Sequence, residues 1–355
     1  MDYQVPQVKF VDRTFNCNRK HAMEIWSFIK EQDNGITNFH FEISADLLEE
    51  EEIEFLNTLR PGQVQFEIGV QTTNPDTVKA IRRKMDLEKL SRNVTLIRRG
   101  DNIHQHLDLI AGLPLEGLTS FEKSFNEVYN LMPDQLQLGF LKVLKGSLME
   151  MESDAYGITY RDTPPYEVLY TSNLTYEEVQ KIKGVCEMVE IYYNSGQFTY
   201  TIKYLKYFYP SAFQLYQKLN EFYESKAIAM MSHSRIKRYD ILLDFYKEIV
   251  LESGCAEDGL TLATLFKELL VLDLYLREDL KSRPEFAHGN LHQSKLREMY
   301  NKYQKDRKAI HLEQFSFDVF SAADFGLVIK KDMTLLFDYS DRDPLNKAAR
   351  LTVLE

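Results

Sequence analysis

The stretch VQFEIGVQTTNPDTVKAI, Val64 to Ile81, sets the reading of this chain. Val64, Phe66, Ile68 and Val70 alternate with Gln65, Glu67, Gly69 and Gln71, the period of two that belongs to a β-strand with unlike faces. The alternation stops at Thr72-Thr73. Asn74-Pro75 then opens a helix, with proline near the first helical position. Strand, loop and helix in that order make one half of a βα repeat, and the neighbouring sequence continues it. Further strands are predicted over Val8 to Asp12, Phe39 to Ser44, Ile103 to Ile110 and Leu136 to Val143. Helical periodicity separates them over His21 to Glu31, Leu48 to Leu59, Asp76 to Arg83, Leu87 to Arg98 and Phe121 to Leu131. Strands joined by helical crossovers predict a parallel sheet.

Each of four strands has one polar face. Asn38, His40, Glu42 and Ser44 oppose Phe39, Phe41 and Ile43, and Gln63 to Gln71 oppose Val64 to Val70 in the same way. His104, His106 and Asp108 oppose Ile103, Leu107 and Leu109, with Gln105 as an exception, and Gln135, Gln137 and Gly139 oppose Leu136, Leu138 and Phe140. A parallel sheet covered by helices on both sides is apolar on both. Here helices can cover one face only, and the other must line a wet or ligand-filled space. A closed barrel packs branched aliphatic residues inside, so a polar lumen predicts a partial, open barrel; an open sheet with a solvated face is the alternative.

The predicted fold class is α/β: a partial (βα) TIM-like barrel of about five parallel strands over residues 1–165, a mostly α-helical domain over 170–306, and a small β-rich segment over 307–355. In the helical part Thr175-x-x-Glu178 reads as a capping box, with the pattern running to Asn194-Ser195-Gly196. Further helices are predicted over Ser211 to Glu224, Arg235 to Ser253, Thr261 to Lys281 and Gln293 to Asp306. Leu265, Leu269, Leu272 and Leu276 form a stripe that needs a buried partner. In the tail, Phe315 to Phe320, Phe325 to Ile329 and Met333 to Tyr339 read as strands, with Lys330 to Asp332 as a hairpin turn.

Composition narrows the function. Hydrophobic residues at 44% allow a sizeable core. A net charge of −11 argues against general nucleic-acid coating, and the run Lys295 to Lys308, basic with Tyr300 and Tyr303, reads as a solvated helix face. No apolar run approaches the roughly 20 residues that span a bilayer, and MDYQVPQVKF lacks the layout of a signal peptide. Cys17, Cys186 and Cys255 lie far apart and suggest neither a metal knuckle nor a disulfide framework, which fits a reducing cytoplasm.

Four segments in order carry a family resemblance: VKFVDRTFN (Val8 to Asn16), FEISAD (Phe41 to Asp46), FEIGVQTTNPDTVKAI (Phe66 to Ile81) and DLIAGLPLE (Asp108 to Glu116). Over roughly residues 5 to 145 they resemble successive strands of the radical S-adenosylmethionine (radical SAM) barrel, in the branch often preceded by a cobalamin-binding domain. The family's C-x3-C-x2-C loop, which holds a [4Fe–4S] cluster, has no counterpart here, and the first strand resembles the family's second. The resemblance therefore implies a C-terminal fragment of a radical SAM enzyme, catalytically silent as it stands, or else a natural relative without a cluster. Arg13 stands where many relatives have a second Asp, Thr72 where Ser is common, and Leu115 where Gly often precedes the Glu.

The resemblance implies cofactor contacts. Asp12, Arg13 and Thr14, with Glu42 and Ser44, would lie towards the methionine end of S-adenosylmethionine. Glu67 and Gln71 would reach the ribose or the substrate, and Asp108, Ile110 and Gly112 would lie against the adenosyl group. The full-length protein would use S-adenosylmethionine, a [4Fe–4S] cluster and possibly cobalamin for methyl transfer or other C–H-activating radical chemistry on an unnamed substrate. Its catalytic residues are not named by the sequence.

Blander and competing readings stand beside this. His104-x-His106-x-Asp108 puts two imidazoles and a carboxylate on one strand face, a weak metal-site alternative. Consecutive same-face residues lie about 6.5–7 Å apart, so lumen groups bonded to water or ligand are the simpler account. Cys17 reads as an incidental thiol, the tyrosines between Tyr192 and Tyr223 as helical core, and His288, Asn290 and His292 as loop residues. A cluster-less barrel using Glu42, Glu67 and Asp108 for acid–base or metal chemistry is one alternative function, and a binding or scaffold protein another. A barrel open at its first strand also predicts an unpaired edge near Val8 to Asp12 and self-association as a homo-oligomer.

Overall fold

The computed structural model describes residues 3–229, 231–252, 259–280, 282–287 and 309–354. Cys255, the predicted helix over Gln293 to Asp306, the run Lys295 to Lys308, and His288, Asn290 and His292 lie outside the described residues. The chain divides into two compact units, Met1–Glu190 and Ile191–Glu355.

The first unit is built on five parallel strands: β1 (Gln7–Lys9), β2 (Asn38–Ile43), β3 (Val64–Gln71), β4 (His104–Ala111) and β5 (Gln135–Phe140). Their spatial order is their chain order, β1-β2-β3-β4-β5. Between them run α1 (Arg19–Glu31), α2 (Glu50–Leu56), α3 (Pro75–Ala80), α4 (Leu87–Arg99) and α5 (Leu118–Asn130). Parallel crossovers are right-handed almost without exception. When the order never reverses, every crossover therefore falls on the same side of the sheet. This is the winding of a barrel segment rather than of a doubly wound sheet, and it leaves one face without helices.

The register bears this out. Phe39 pairs with Val64, Phe41 with Phe66, and Ile43 with Ile68, which continues to Leu107 and Leu136. Every one of these apolar-face residues is buried, and Trp26 of α1 lies beneath them, with no exposed surface, against Phe41 and Phe66. The exception on this face, Gln105, is buried and donates its side-chain amide to Val94 O of α4 at 3.2 Å. Gln63 is not on the polar face. It precedes β3, is buried, and donates to Ile29 O of α1 at 2.9 Å. After β5 come the short helix α6 (Leu148–Met151), the hairpin β6 (Thr159–Tyr160) and β7 (Val168–Tyr170), and helix α7 (Tyr176–Val189). The capping box of α7 is formed as read, with Thr175 and Glu178 exchanging bonds at 3.2 and 2.8 Å.

The second unit holds α8 (Thr199–Leu205), α9 (Ala212–Ser225), α10 (Arg235–Glu252), α11 (Gly259–Arg277), β8 (Ile310–Phe317), α12 (Val319–Phe325), β9 (Lys330–Arg342) and β10 (Ala349–Leu354). The leucine stripe of α11 is buried. So is Asp273 of the same helix, which accepts the Tyr200 and Thr201 N–H groups at 2.9 and 2.8 Å and thereby caps α8, a helix absent from the sequence reading. The hydroxyls of Tyr192 and Tyr223 bond each other at 2.8 Å in this core. The three-stranded antiparallel sheet has order β10-β9-β8. Here the strand reading needs correction. Phe315 to Phe320 does not continue as a strand, Phe325 to Ile329 is not one, and Lys330 to Asp332 begins β9 instead of turning. Asp318 accepts Ser321 N–H at 3.0 Å and starts α12, and Gly326, at φ +68°, ends it. An N-cap and a left-handed glycine outrank local strand propensity.

Candidate functional site

In a parallel ladder, residues in register share a face, so the polar residues fall into rows across the sheet. Lys9, His40, Gln65 and His104 form one row. Glu42, Glu67, His106 and Gln135 form the next, and Gly69, Asp108 and Gln137 the third, towards the carboxyl ends of the strands. Glu67 is the hub of the middle row: its Oε2 lies 3.1 Å from Lys9 Nζ and 3.0 Å from His40 Nε2, the latter without hydrogen-bond geometry.

The electrostatics follow from these neighbours. Burial works to raise the Glu67 carboxyl, but the Lys9 hydrogen bond and the charges of Lys9, His106 and His40 hold it below its ordinary value. Glu42 has no such bond; burial, then the facing Glu67 carboxylate, raise it. Burial lowers His40, His104 and His106. It pushes Asp108 up to about 6, against the Val70 N–H bond and the Arg83 charge.

At the carboxyl ends of β3 and β4, two carboxylates lock adjacent loops together. The β3–β4 register shifts between Gly69 and Gln71, and Val70 N–H donates to Asp108 Oδ1 at 3.1 Å. Gln71 turns with φ +69° and donates its side chain to Asp108 Oδ2 at 3.0 Å, while the Arg83 guanidinium bonds Gly69 O. The second lock is buried. Glu116 Oε1 accepts from Thr72 at 2.7 Å and Ser124 at 3.1 Å, and Thr72 in turn accepts Asn74 N–H at 3.0 Å. Asn74 caps α3 by accepting Asp76 N–H and donates to Ser120 at 2.9 Å. Thus the two most specific sequence segments, Phe66 to Ile81 and Asp108 to Glu116, bond to each other. Burial raises the Glu116 carboxyl, against the bonds from Thr72, Ser124 and Ser120.

The residues singled out from sequence are placed as follows. Glu42 and Glu67 share one row, and Asp108 follows in the next. Gln71 and Asp108 bond each other. Ser44 donates to Asp46 at 2.6 Å, and its backbone pairs with the Asn16 side chain at 2.9 and 3.0 Å. Asp12, Arg13 and Thr14 lie beyond the end of β1, with Asp12 and Arg13 exposed. Ile110 is half-buried, opposite Gly139 in the ladder. Gly112, at φ +84°, is pressed against Val168, whose Cγ1 would sit 2.6 Å from an added Cβ. Lys9, Arg83, Glu116 and Ser124 were missed as site residues. Alternation through Val8-Lys9-Phe10 was the available signal for Lys9, and the end of the DLIAGLPLE segment for Glu116.

Among the described residues, no three His, Cys, Asp or Glu side chains converge to hold a metal ion, and His104, His106 and Asp108 do not. Asp108 instead has both oxygens engaged within the protein. Nor do the two described cysteines fit a [4Fe–4S] cluster: Cys17 is exposed, and Cys186 sits in β5–α7 packing, 3.5 Å from Leu138 O, its thiol pushed by burial to about 11. Glu42 is a half-buried carboxylate with no hydrogen-bonded cation, on which the charges of Lys9, Arg13 and Arg83 act from a distance. Among the described residues, no helix is long and apolar enough to cross a membrane.

Comparison with known proteins gives partial likenesses. The chain is 30% identical over 117 residues to the oxygen-independent coproporphyrinogen-III oxidase-like protein HemZ of Bacillus subtilis, covering 33% of this chain and 23% of HemZ. It is 32% identical over 123 residues to protein YhcC of Escherichia coli, covering 30% of this chain and 39% of YhcC. The chain thus spans well under half the length of these curated relatives. Among solved structures, the radical S-adenosylmethionine methyltransferase TsrM of Kitasatospora setae, with cobalamin and a [4Fe–4S] cluster bound, has a TM-score of 0.39 at 14% identity over 46% of this chain and 35% of that one. Radical SAM is the family whose barrel residues 5 to 145 resemble, and TsrM is by its name one of its members. The family model that matches most of the chain, over residues 154–337, is described as protein of unknown function (DUF4080), and to that family this chain belongs.

Proposed function

We propose that the parallel-sheet unit is the S-adenosylmethionine- and substrate-handling part of a radical SAM enzyme. The observation that carries this reading is the mutual lock of the two motif loops at the carboxyl ends of β3 and β4, where parallel α/β barrels place their sites. Beside it lies a polar face bearing Glu42. Bound S-adenosylmethionine supplies a sulfonium centre and an adenosyl group. Glu42 and Glu67 would face the positive charge, Asp12, Arg13, Thr14 and Ser44 would lie towards the methionine end, and Gly112 and Ile110 towards the adenosyl group. Gln71 and Asp108 hold each other, so their part is to fix the β3 terminus against β4. No step through an iron–sulfur cluster is assigned to this chain's cysteines. For the whole protein we assign C–H-activating chemistry, with methyl transfer as the reaction class. A second reading, acid–base chemistry without iron, draws on Asp108 near 6 and the raised Glu42 on the same sheet face.

Isothermal titration with S-adenosylmethionine and with S-adenosylhomocysteine, which lacks the sulfonium charge, tests the proposal. The expected result is preference for the charged ligand, reduced by about tenfold (1.4 kcal/mol) in Glu42→Gln. No binding of either ligand, or equal binding by Glu42→Gln, overturns it. Turnover by metal-stripped protein in air would favour the acid–base reading.

A further inference from the structure

Three ring nitrogens on the polar face have no hydrogen-bond partner within the protein: His40 Nε2, which lies 3.0 Å from the Glu67 carboxylate, and His104 Nδ1 and His106 Nε2, which face no carboxylate that closely. His106 is only 8% exposed. Leaving such a group unmet destabilises the fold, and folded proteins seldom accept that unless water or a ligand completes the bond. The imidazoles of His104 and His106 are embedded among amides: Gln65 lies beside His104, Gln135 beside His106, and Gln137 within reach of the His106 ring. Neighbouring strands are about 4.8 Å apart and successive rows about 6.5–7 Å, so donors and acceptors are spread over a patch a small ligand can span. Lys9 and Gln137 at its margin are exposed, so the patch can be reached.

Its charge is nearly cancelled. Lys9 and Glu67 pair at 3.1 Å. The three histidines, held below their ordinary value by burial, are neutral near pH 7. A carboxylate or phosphate entering here would face Glu67 and Glu42 and find Lys9 already engaged. No Phe, Tyr or Trp shares the three rows to stack a planar ring. A hydroxyl both donates and accepts, so it satisfies an imidazole nitrogen in either tautomer and an amide in either orientation.

We infer that His104, His106 and the flanking glutamines form a subsite for an uncharged, hydroxyl-rich group of the substrate, of sugar or polyol type. The inference rests on the proposed function in taking this face as the ligand site, and deepens it by naming the substrate class.

The test uses the whole chain and follows the histidine ring signals by 1H–13C correlation NMR during separate titrations. The probes are D-ribose and myo-inositol, with glutarate and citrate as anionic comparators and S-adenosylmethionine as an independent ligand. A polyol is expected to shift the His104 and His106 signals saturably. His106→Leu should weaken that binding by about tenfold or more (1.4 kcal/mol), while His106→Gln, which keeps a donor and an acceptor, should retain it. The His104→Gln and His104→Leu pair gives the same comparison if His106→Leu does not fold. Tighter binding of glutarate or citrate, unchanged polyol binding by the leucine variants, or no polyol-dependent shift overturns the inference. If S-adenosylmethionine binds and the polyols do not, this inference alone fails. If the polyols bind and S-adenosylmethionine does not, the cofactor reading fails and the subsite remains.

Discussion

The buried lock between Thr72 and Glu116 makes a quantitative test of how the two motif loops are held. Valine has nearly the shape of threonine, so Thr72→Val removes, besides a long 3.5 Å contact with Ser124 Oγ, two good bonds with little change in packing. The first is the 2.7 Å donation to Glu116 Oε1, and the second the acceptance of Asn74 N–H at 3.0 Å. Thr72, Glu116 and Ser124 are each at most 1% exposed, so water cannot replace what is lost. Stranding a buried carboxylate from its shortest donor costs about 1–3 kcal/mol and the amide about 1 more, giving a loss of about 2–4 kcal/mol. Thr72→Ser keeps the hydroxyl and loses one buried methyl, about 1 kcal/mol. Trp26 is the sole tryptophan and packs within 6.2 Å, ring to ring, of Phe15, Phe41 and Phe66, so its fluorescence in urea reports on this unit. With an m-value near 2 kcal/mol/M, the midpoint should fall by about 1–2 M for valine and about 0.5 M for serine. Equal midpoints for the two variants would refute the lock as a source of stability.

Three further outcomes are expected with the same probe. Asp108 has a folded pKa raised from 3.8 to about 6. The stability tied to its neutral form is therefore fully present below pH about 4 and lost as pH rises towards 6, about 3 kcal/mol in all. Asp108→Asn should flatten that part of the stability–pH curve, and an unchanged slope would discount burial as the cause. Gly112→Ala should cost about 2–4 kcal/mol from left-handed backbone plus overpacking. A partial rescue by Val168→Ala in the double variant would identify the 2.6 Å approach as the cause, and strict additivity would exclude it. Leu115 sits at φ +63° and is half-exposed, so Leu115→Gly should raise stability by up to about 1 kcal/mol; a lower midpoint would show that its side chain contributes more than the strain removes.

Much of the sheet was legible because its signal is local. The alternation in Val64 to Gln71 and in Phe39 to Ile43 names both the strands and their faces, and helical periodicity between them implies parallel pairing. The unlike faces implied a single layer of helices, which the strand order explains. What stayed hidden depends on partners distant in the chain. Gln105 looked like a break in the pattern until Val94 of α4 was found beside it. Gln63 matched the polar alternation but lies one residue before β3 and serves α1. In the second unit, Asp318 and Gly326 bracket a helix within a stretch of strand-forming residues, and Asp273 sets the start of α8 from a helix far along the chain. Leu115 stands where relatives in the resembled family often have Gly before the Glu. The backbone nonetheless adopts a left-handed conformation there with a leucine in place. For the site, the carboxylates and histidines were visible by type and face, whereas their division into free Glu42, paired Glu67 and locked Asp108 required the distances.

The unbroken strand order also bears on how the chain leaves the ribosome. Val8 pairs with Phe39, Phe39 with Val64, Gln65 with His104, and Leu107 with Leu136. Each strand thus docks on the one synthesised just before it, and no pairing waits for a distant segment. Pairing only successive strands keeps each loop closure to a single βα unit, the shortest a parallel sheet allows, and domains form from the amino-terminal end during synthesis. Such a sheet can lengthen one strand at a time, with a bare leading edge that the next βα unit covers. The ligand-facing rows would be completed in the same sequence, and the Asp108 and Glu116 contacts would act as latches closing behind β4 as it arrives.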